Sequence, residues 1–147
     1  MPGQSGILNH RHILAAVATL AAEAERDGGA PLCIAVCDAV GDLLHYSRMA
    51  GGKRRGTPIA VGKAYTSAVL ETSTSALHAR LERERLTLAD FCDGPAPRLT
   101  SLAGGVPLAW DGRTLGGVGV SGRKPEEDEI LATRLATVLL KLGGTAL

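Results

Sequence analysis

Aromatic side chains are scarce. The 147 residues include one Trp, two Tyr and one Phe, only 3% of the chain. A surface that stacks nucleic-acid bases needs more rings than these, which argues against single-strand binding. An excess of one charge is missing too: 16 basic and 15 acidic residues leave a net charge of +1. A polyanion-binding protein would carry a large basic surplus. No apolar run approaches the length of a membrane span. The start, MPGQSGILNHRH, lacks the charged segment and long apolar core of a signal peptide. Only three cysteines occur, Cys33, Cys37 and Cys92. An odd count without a signal predicts reduced thiols and a cytoplasmic location. There is no CxxC, no HExxH and no His pair at i, i+4, so a protein-only zinc site is not expected. Internal repeats and low-complexity linkers are also lacking.

Glycine is plentiful, at 19 residues. It concentrates in residues 104–128, GGVPLAWDGRTLGGVGVSGRKPEED. Two short apolar runs flank Asp111-Gly112, a pair that suits a type I′ turn, so a β-hairpin is predicted. The second run carries Gly116, Gly117 and Gly119. Such a strand is weak unless another chain, a helix or a ligand approaches its backbone closely. Ser121-Gly122 then leads to a helix starting at Pro125, with Glu126, Glu127 and Asp128 at the positive end of its dipole.

The other elements follow from periodicity. Residues 1–8 read as a loose arm and residues 9–147 as one domain. Asn9 caps a helix over 10–27, whose Ile13, Leu14, Val17, Leu20 and Ala24 recur at helical spacing. LCIAVCD, residues 32–38, reads as a central strand covered on both faces, and 43–48 as its hairpin partner. After the glycine-rich basic loop 50–56, Thr57-Pro58 predicts a cap and first position of a helix reaching residue 71. Its packed face, Ala60, Val61, Ala64, Tyr65, Ala68 and Val69, is mostly small. A shorter helix over 76–85 follows, then an irregular stretch to residue 98. A strand over 99–103 and a last helix over 125–142 complete the order. The expected class is α/β (α+β): a five-stranded antiparallel sheet with helices packed on its faces.

Several residues carry possible chemistry. A neutral imidazole is a good ligand for heme iron, and the chain has His10, His12, His45 and His78. Lys53, Arg54 and Arg55 precede a helix start with free backbone donors and can hold a carboxylate, with Arg48 joining them. Lys63 lies on the small-residue face, where it either pairs with Asp38 or Glu71 or, if desolvated, becomes a base or nucleophile. The Ser121-Gly122 junction offers backbone N–H groups to an anion. GVSGR does not complete a G-x-S-x-G elbow, and GGVGVSG does not complete G-x-G-x-x-G, so neither a serine hydrolase nor a dinucleotide site is expected. Cys33 and Cys37 share one strand face and read as buried thiols, whereas Cys92 lies in a polar loop.

Taken in order, certain pieces resemble one family. They are Ile34-Ala35-Val36-Cys37-Asp38 with Gly41, Arg48-Met49, Lys63-Ala64 with Thr66 and Ala68, Gly104-Gly105-Val106-Pro107-Leu108, Asp111-Gly112, Gly116 through Gly122, and Pro125-Glu126 with Asp128. The pattern, over about residues 10–142, resembles the GlcG/HbpS-like small heme-binding proteins, which include the C-terminal domain of PduO-type corrinoid adenosyltransferases. The resemblance implies a profilin-like fold, homo-oligomers and heme as cofactor. It implies no position for the iron ligand; His12 is the first choice and His78 the second. One departure stands out: the acidic residue usual after Arg-Met is here Ala50, which makes the loop basic.

Three functions follow as expectations. The first is an oligomer holding heme or a related tetrapyrrole near a subunit interface, through His12 or His78 with Lys53, Arg54, Arg55 and Gly122, as an accessory to catabolism or to iron or heme handling. The second is an isomerase, lyase or hydrolase of a small organic acid, using Lys63, Arg48 and Ser121. The third is a non-catalytic assembly subunit. None involves nucleic acid or a membrane.

Overall fold

The computed structural model describes residues 4–92 and 98–144. Four strands form one antiparallel sheet: β1 (Cys33–Asp38), β2 (Leu43–Arg48), β3 (Gly105–Trp110) and β4 (Arg113–Ser121). Their order is β2-β1-β4-β3. Alternation along β1 and β4 sets the two faces. Ile34, Val36, Val118 and Val120 point to one side and belong to the larger core. Two helices cover that side, α2 (His10–Arg26) and α5 (Pro125–Gly144). Cys33, Ala35 and Cys37 point to the other side, which α3 (Gly56–Val69) covers with Ala60, Ala64 and Ala68.

The glycines of β4 explain this second layer. A Cβ at Gly119 would collide with the Ala60 carbonyl oxygen and the Ala64 amide of α3. One at Gly117 would strike the Ala64 carbonyl and the Ser67 hydroxyl. Of the three visitors the sequence allowed, a helix is therefore the one that comes close to the strand. Sheet residues without bulk and a helix with an alanine stripe let the two backbones almost touch. Burial pushes the Cys37 thiol under this helix up to about 12, which makes it inert at neutral pH.

Most local expectations hold. Asn9 caps α2 by accepting from the His12 amide at 2.9 Å. The β3–β4 turn has φ of 51° at Asp111 and 72° at Gly112, the positive angles that an Asp-Gly hairpin turn needs. α4 (Thr74–Glu84) is capped by the Ser73 hydroxyl, which accepts from Ala76 N. Pro107 sits in β3, an edge strand, where its missing N–H is tolerated.

Four expectations are corrected. The sheet has four strands, not five. Segment 99–103 instead runs over α3, where Thr100 N donates to Thr66 Oγ1 at 3.0 Å and that hydroxyl donates to the Arg98 carbonyl. The Leu102 amide donates to the Thr100 hydroxyl at 3.2 Å, so neither amide bonds to a strand. Thr57 does not cap α3; the helix begins at Gly56, two residues before the expected Pro58, and Thr57 Oγ1 lies 2.6 Å from the Tyr46 hydroxyl. Part of the stretch expected as a loose arm is packed. α1 (Gln4–Ile7) is one helical turn, and Ile7 and Leu8 enter the core against α5. The irregular stretch contains a 3-10 turn at Leu88–Phe91; its Asp93-Gly94-Pro95 and Pro97 lie outside the described residues, as do residues 1–3.

One ion pair locks the loop after β4 onto the end of α2. Arg123 donates to both Asp27 oxygens, at 2.6 and 2.7 Å, and to the Ala24 and Ala30 carbonyls. The guanidinium holds the Asp27 carboxyl down at about 2, from an ordinary 3.8. A depressed carboxyl pKa adds stability that is complete above the unfolded value and is lost as pH falls through the folded one. Acid unfolding between pH 4 and 2 should therefore include an Asp27 contribution. Asp27→Asn should flatten the dependence of the urea midpoint on pH in that window and leave its slope above pH 5 unchanged.

Candidate functional site

The basic loop, the start of α3 and the β4–α5 loop border a half-open cavity of about 270 Å³. Its interior is built around Lys63. The residue sits on α3 above Gly119, where the missing side chain leaves room for its stem. Its ammonium donates to the Val120 carbonyl at 2.8 Å and to Asp128 Oδ2 at 3.1 Å. Lys63 and Asp128 are each only 2% exposed. Burial pushes the Lys63 pKa down and the Asp128 pKa up, each against the pull of its partner's charge. Asp128 Oδ1 also accepts from Arg123 N at 3.0 Å. One carboxylate at the first turn of α5 thus joins the helix layer of one face to the loop that serves the other.

Ser121 and Cys33 lie side by side across the β1–β4 pairing and both line the cavity. The Ser121 hydroxyl donates to the Gly56 carbonyl at 2.8 Å. The Cys33 thiol donates to the Lys53 carbonyl at 3.8 Å. Lys53 and Arg55 stand exposed at the rim and form no ion pair with a described residue. Ile59, Leu102 and Pro125 supply apolar wall.

Five residues predicted separately meet here: Lys53, Arg55, Lys63, Ser121 and Gly122. Arg54 and Arg48 are exposed and do not line the cavity; the Arg48 stem lies against Gly52. The helix start expected to offer free donors has none to spare in its first three positions. Gly56 N donates to the Lys53 carbonyl, Thr57 N to the Arg54 carbonyl, and Pro58 has no N–H. The N–H of Arg123, just past Ser121-Gly122, is taken by Asp128. Lys63 pairs with neither Asp38 nor Glu71. Asp38 Oδ1 instead accepts from Val40 N and Asp42 N in the first hairpin turn.

Asp128 and Arg123 are what the sequence reading missed as site residues. Asp128 read as a dipole acid, and its partner is 65 residues away in the chain. The one available signal was a buried-face lysine, which demands some carboxylate.

The histidines lie elsewhere. His12 is half-buried at the start of α2, with Nδ1 3.0 Å from both the Gly6 carbonyl oxygen and the Asn9 amide nitrogen. His78 is exposed on α4 and sits 3.1 Å from Glu82, one turn on. His10 is exposed and His45 half-buried. No group of three or more His, Cys, Asp or Glu among the described residues is placed to hold a metal ion. No described helix is long and apolar enough to cross a membrane.

Comparison with known proteins agrees with this architecture. Residues 8–136 match the family described as "Haem degrading protein HbpS-like". Protein GlcG of Escherichia coli K12 is 35% identical over 135 residues, covering 92% of this chain and 96% of that protein. The crystal structure of a double mutant of Streptomyces reticuli HbpS superposes with a TM-score of 0.78 at 32% identity, covering 90% of this chain and 86% of that one. A crystal structure of a PduOC:heme complex gives a TM-score of 0.74 at 24% identity over 86% of this chain and 91% of that one, a likeness of fold. With a matching model over most of its length and a relative above 30% identity across nearly all of it, the chain belongs to the HbpS-like family.

Proposed function

We propose that this protein binds heme or a related tetrapyrrole, with His12 as the iron ligand. The observation that carries the reading is how the His12 ring is held, by Nδ1 alone, in a chain of a heme-related family. His12 Nδ1 lies 3.0 Å from both the Gly6 carbonyl oxygen and the Asn9 amide nitrogen, so one or the other engages it in either tautomer. Nε2 is the ring nitrogen with no partner among the described residues. Metal-binding histidines are oriented through the second ring nitrogen, which donates to a carbonyl or carboxylate, and the Gly6 carbonyl stands where it could take that proton. His78 is less suited, because Glu82 engages its Nε2. Arg11 and the exposed Leu14 flank a shallow hollow on the same turn of α2 and offer a propionate partner and apolar surface. Bound heme would supply an iron centre; the chain's part is to hold and orient it.

The basic loop does not serve the same heme within one subunit. Fifteen helical residues separate His12 from Asp27, about 22 Å at 1.5 Å per residue, and Asp27 is where the cavity's loop is anchored. A heme that uses both His12 and Lys53, Arg54 or Arg55 would lie between two copies of the chain. A site of that kind would require the homo-oligomer.

An absorbance titration with hemin tests the proposal. Saturation at a fixed ratio of heme to subunit is expected, with the bound spectrum lost in His12→Ala and kept in His78→Ala. A weak, unsaturable change that is indifferent to both substitutions would overturn it.

A further inference from the structure

The cavity lies where Arg123 is tied to Asp27 at the far end of α2, about 22 Å along that helix from His12, so a heme held by His12 does not fill it within one subunit. We infer that it is a second site, one that binds a small carboxylic acid through the rim cations Lys53 and Arg55 and the buried Lys63 ammonium. The inference does not depend on heme binding.

Size sets the first limit. About 270 Å³ holds about nine waters at roughly 30 Å³ each. Drug-sized ligands use about 300–1,000 Å³. A macrocycle does not fit, whereas an acid of about four to eight non-hydrogen atoms does.

Charge sets the second. Lys53 and Arg55 carry no carboxylate partner among the described residues, although Glu and Asp are abundant elsewhere on the surface. The ammonium of Lys63 has three donors. Two are used, by Val120 O and Asp128 Oδ2, and no described residue takes the third. A buried cation with an unspent donor, lining a half-open pocket beside two cations that no described carboxylate pairs, favours an anion. A carboxylate suits it better than a phosphate, because Asp128 already offsets one positive charge and the space is small.

Ser121 sets the third. Its proton is committed to the Gly56 carbonyl, so toward the cavity its oxygen can only accept. A ligand hydroxyl or amine would satisfy it. Ile59, Leu102 and Pro125 suit a short carbon body. The class is thus a short acid with a carboxylate at one end and a donor group beside it.

The experiment is calorimetric titration of the intact chain with propionate, lactate and sulfate at matched ionic strength. Lactate adds only a hydroxyl to propionate. Saturable binding at one site per subunit is expected, tighter for lactate than for propionate, with sulfate giving none. Lys53→Ala and Arg55→Ala alter exposed side chains, so the fold survives; each should weaken lactate about tenfold, the effect of one charge-assisted hydrogen bond. Competition identifies the natural source of the carboxylate. Displacement of lactate by heme but not by heme dimethyl ester would support the site and assign it a propionate; no displacement by either would support a free acid. Heat changes equal for all three anions, or unaffected by both substitutions, would overturn the inference and leave the hemin titration untouched.

Discussion

Lys63→Met should destabilise the fold by about 3–5 kcal/mol, the cost of leaving one half of a buried ion pair alone. Asp128 would lose the ammonium 3.1 Å away while remaining shut off from water, and the Val120 carbonyl would lose its donor. The double substitution Lys63→Met with Asp128→Asn should be more stable than Lys63→Met alone. Asparagine keeps an acceptor for Arg123 N but brings no charge into the interior. Urea denaturation of the three proteins gives the comparison. A single-substitution cost below about 1 kcal/mol, the range of exposed pairs, would mean that water reaches the pair.

Gly119→Ala should cost about 3 kcal/mol, the upper end of what overpacking does, because the added methyl meets backbone atoms of α3 rather than a side chain that can turn away. Only a shift of the whole helix relieves the clash, and that shift would also move Lys63, which is carried on α3 above Gly119. Loss of stability and loss of carboxylate binding should therefore appear together in this variant. A nearly neutral effect on the urea midpoint would show that α3 stands further from β4 than the alanine–glycine contact requires.

Local patterns in the chain carried most of the fold. Alternation in β1, the Asp111-Gly112 turn and the Asn9 cap each act over a few residues, so they are legible without the rest of the molecule. The glycines of β4 announced a close visitor but could not name it; the alanines of α3 do so only once the two elements are placed face to face. Segment 99–103 looked like a strand because its apolar character is right. Its backbone partner is the Thr66 side chain, and no periodicity reports a tertiary bond of that kind.

The site shows the same division. Lys63 was legible as a lysine on a packed face. Its partner was not, since Asp128 lies on a helix of the opposite layer and reads like any first-turn acid. The basic loop was legible as charge, but not which of its residues reach the cavity: Lys53 and Arg55 do, Arg54 does not. Free donors at the α3 start were inferred from a Thr-Pro cap that does not form. The Lys53 and Arg54 carbonyls use those donors instead.

In the proposed complex His12 holds heme iron through Nε2. The most direct measurement is the resonance Raman spectrum of the ferrous heme-loaded protein. An iron–histidine stretching band in the unaltered protein, absent in His12→Ala and still present in His78→Ala, is the predicted result. The same band in His12→Ala, or none in the unaltered protein, would contradict the account.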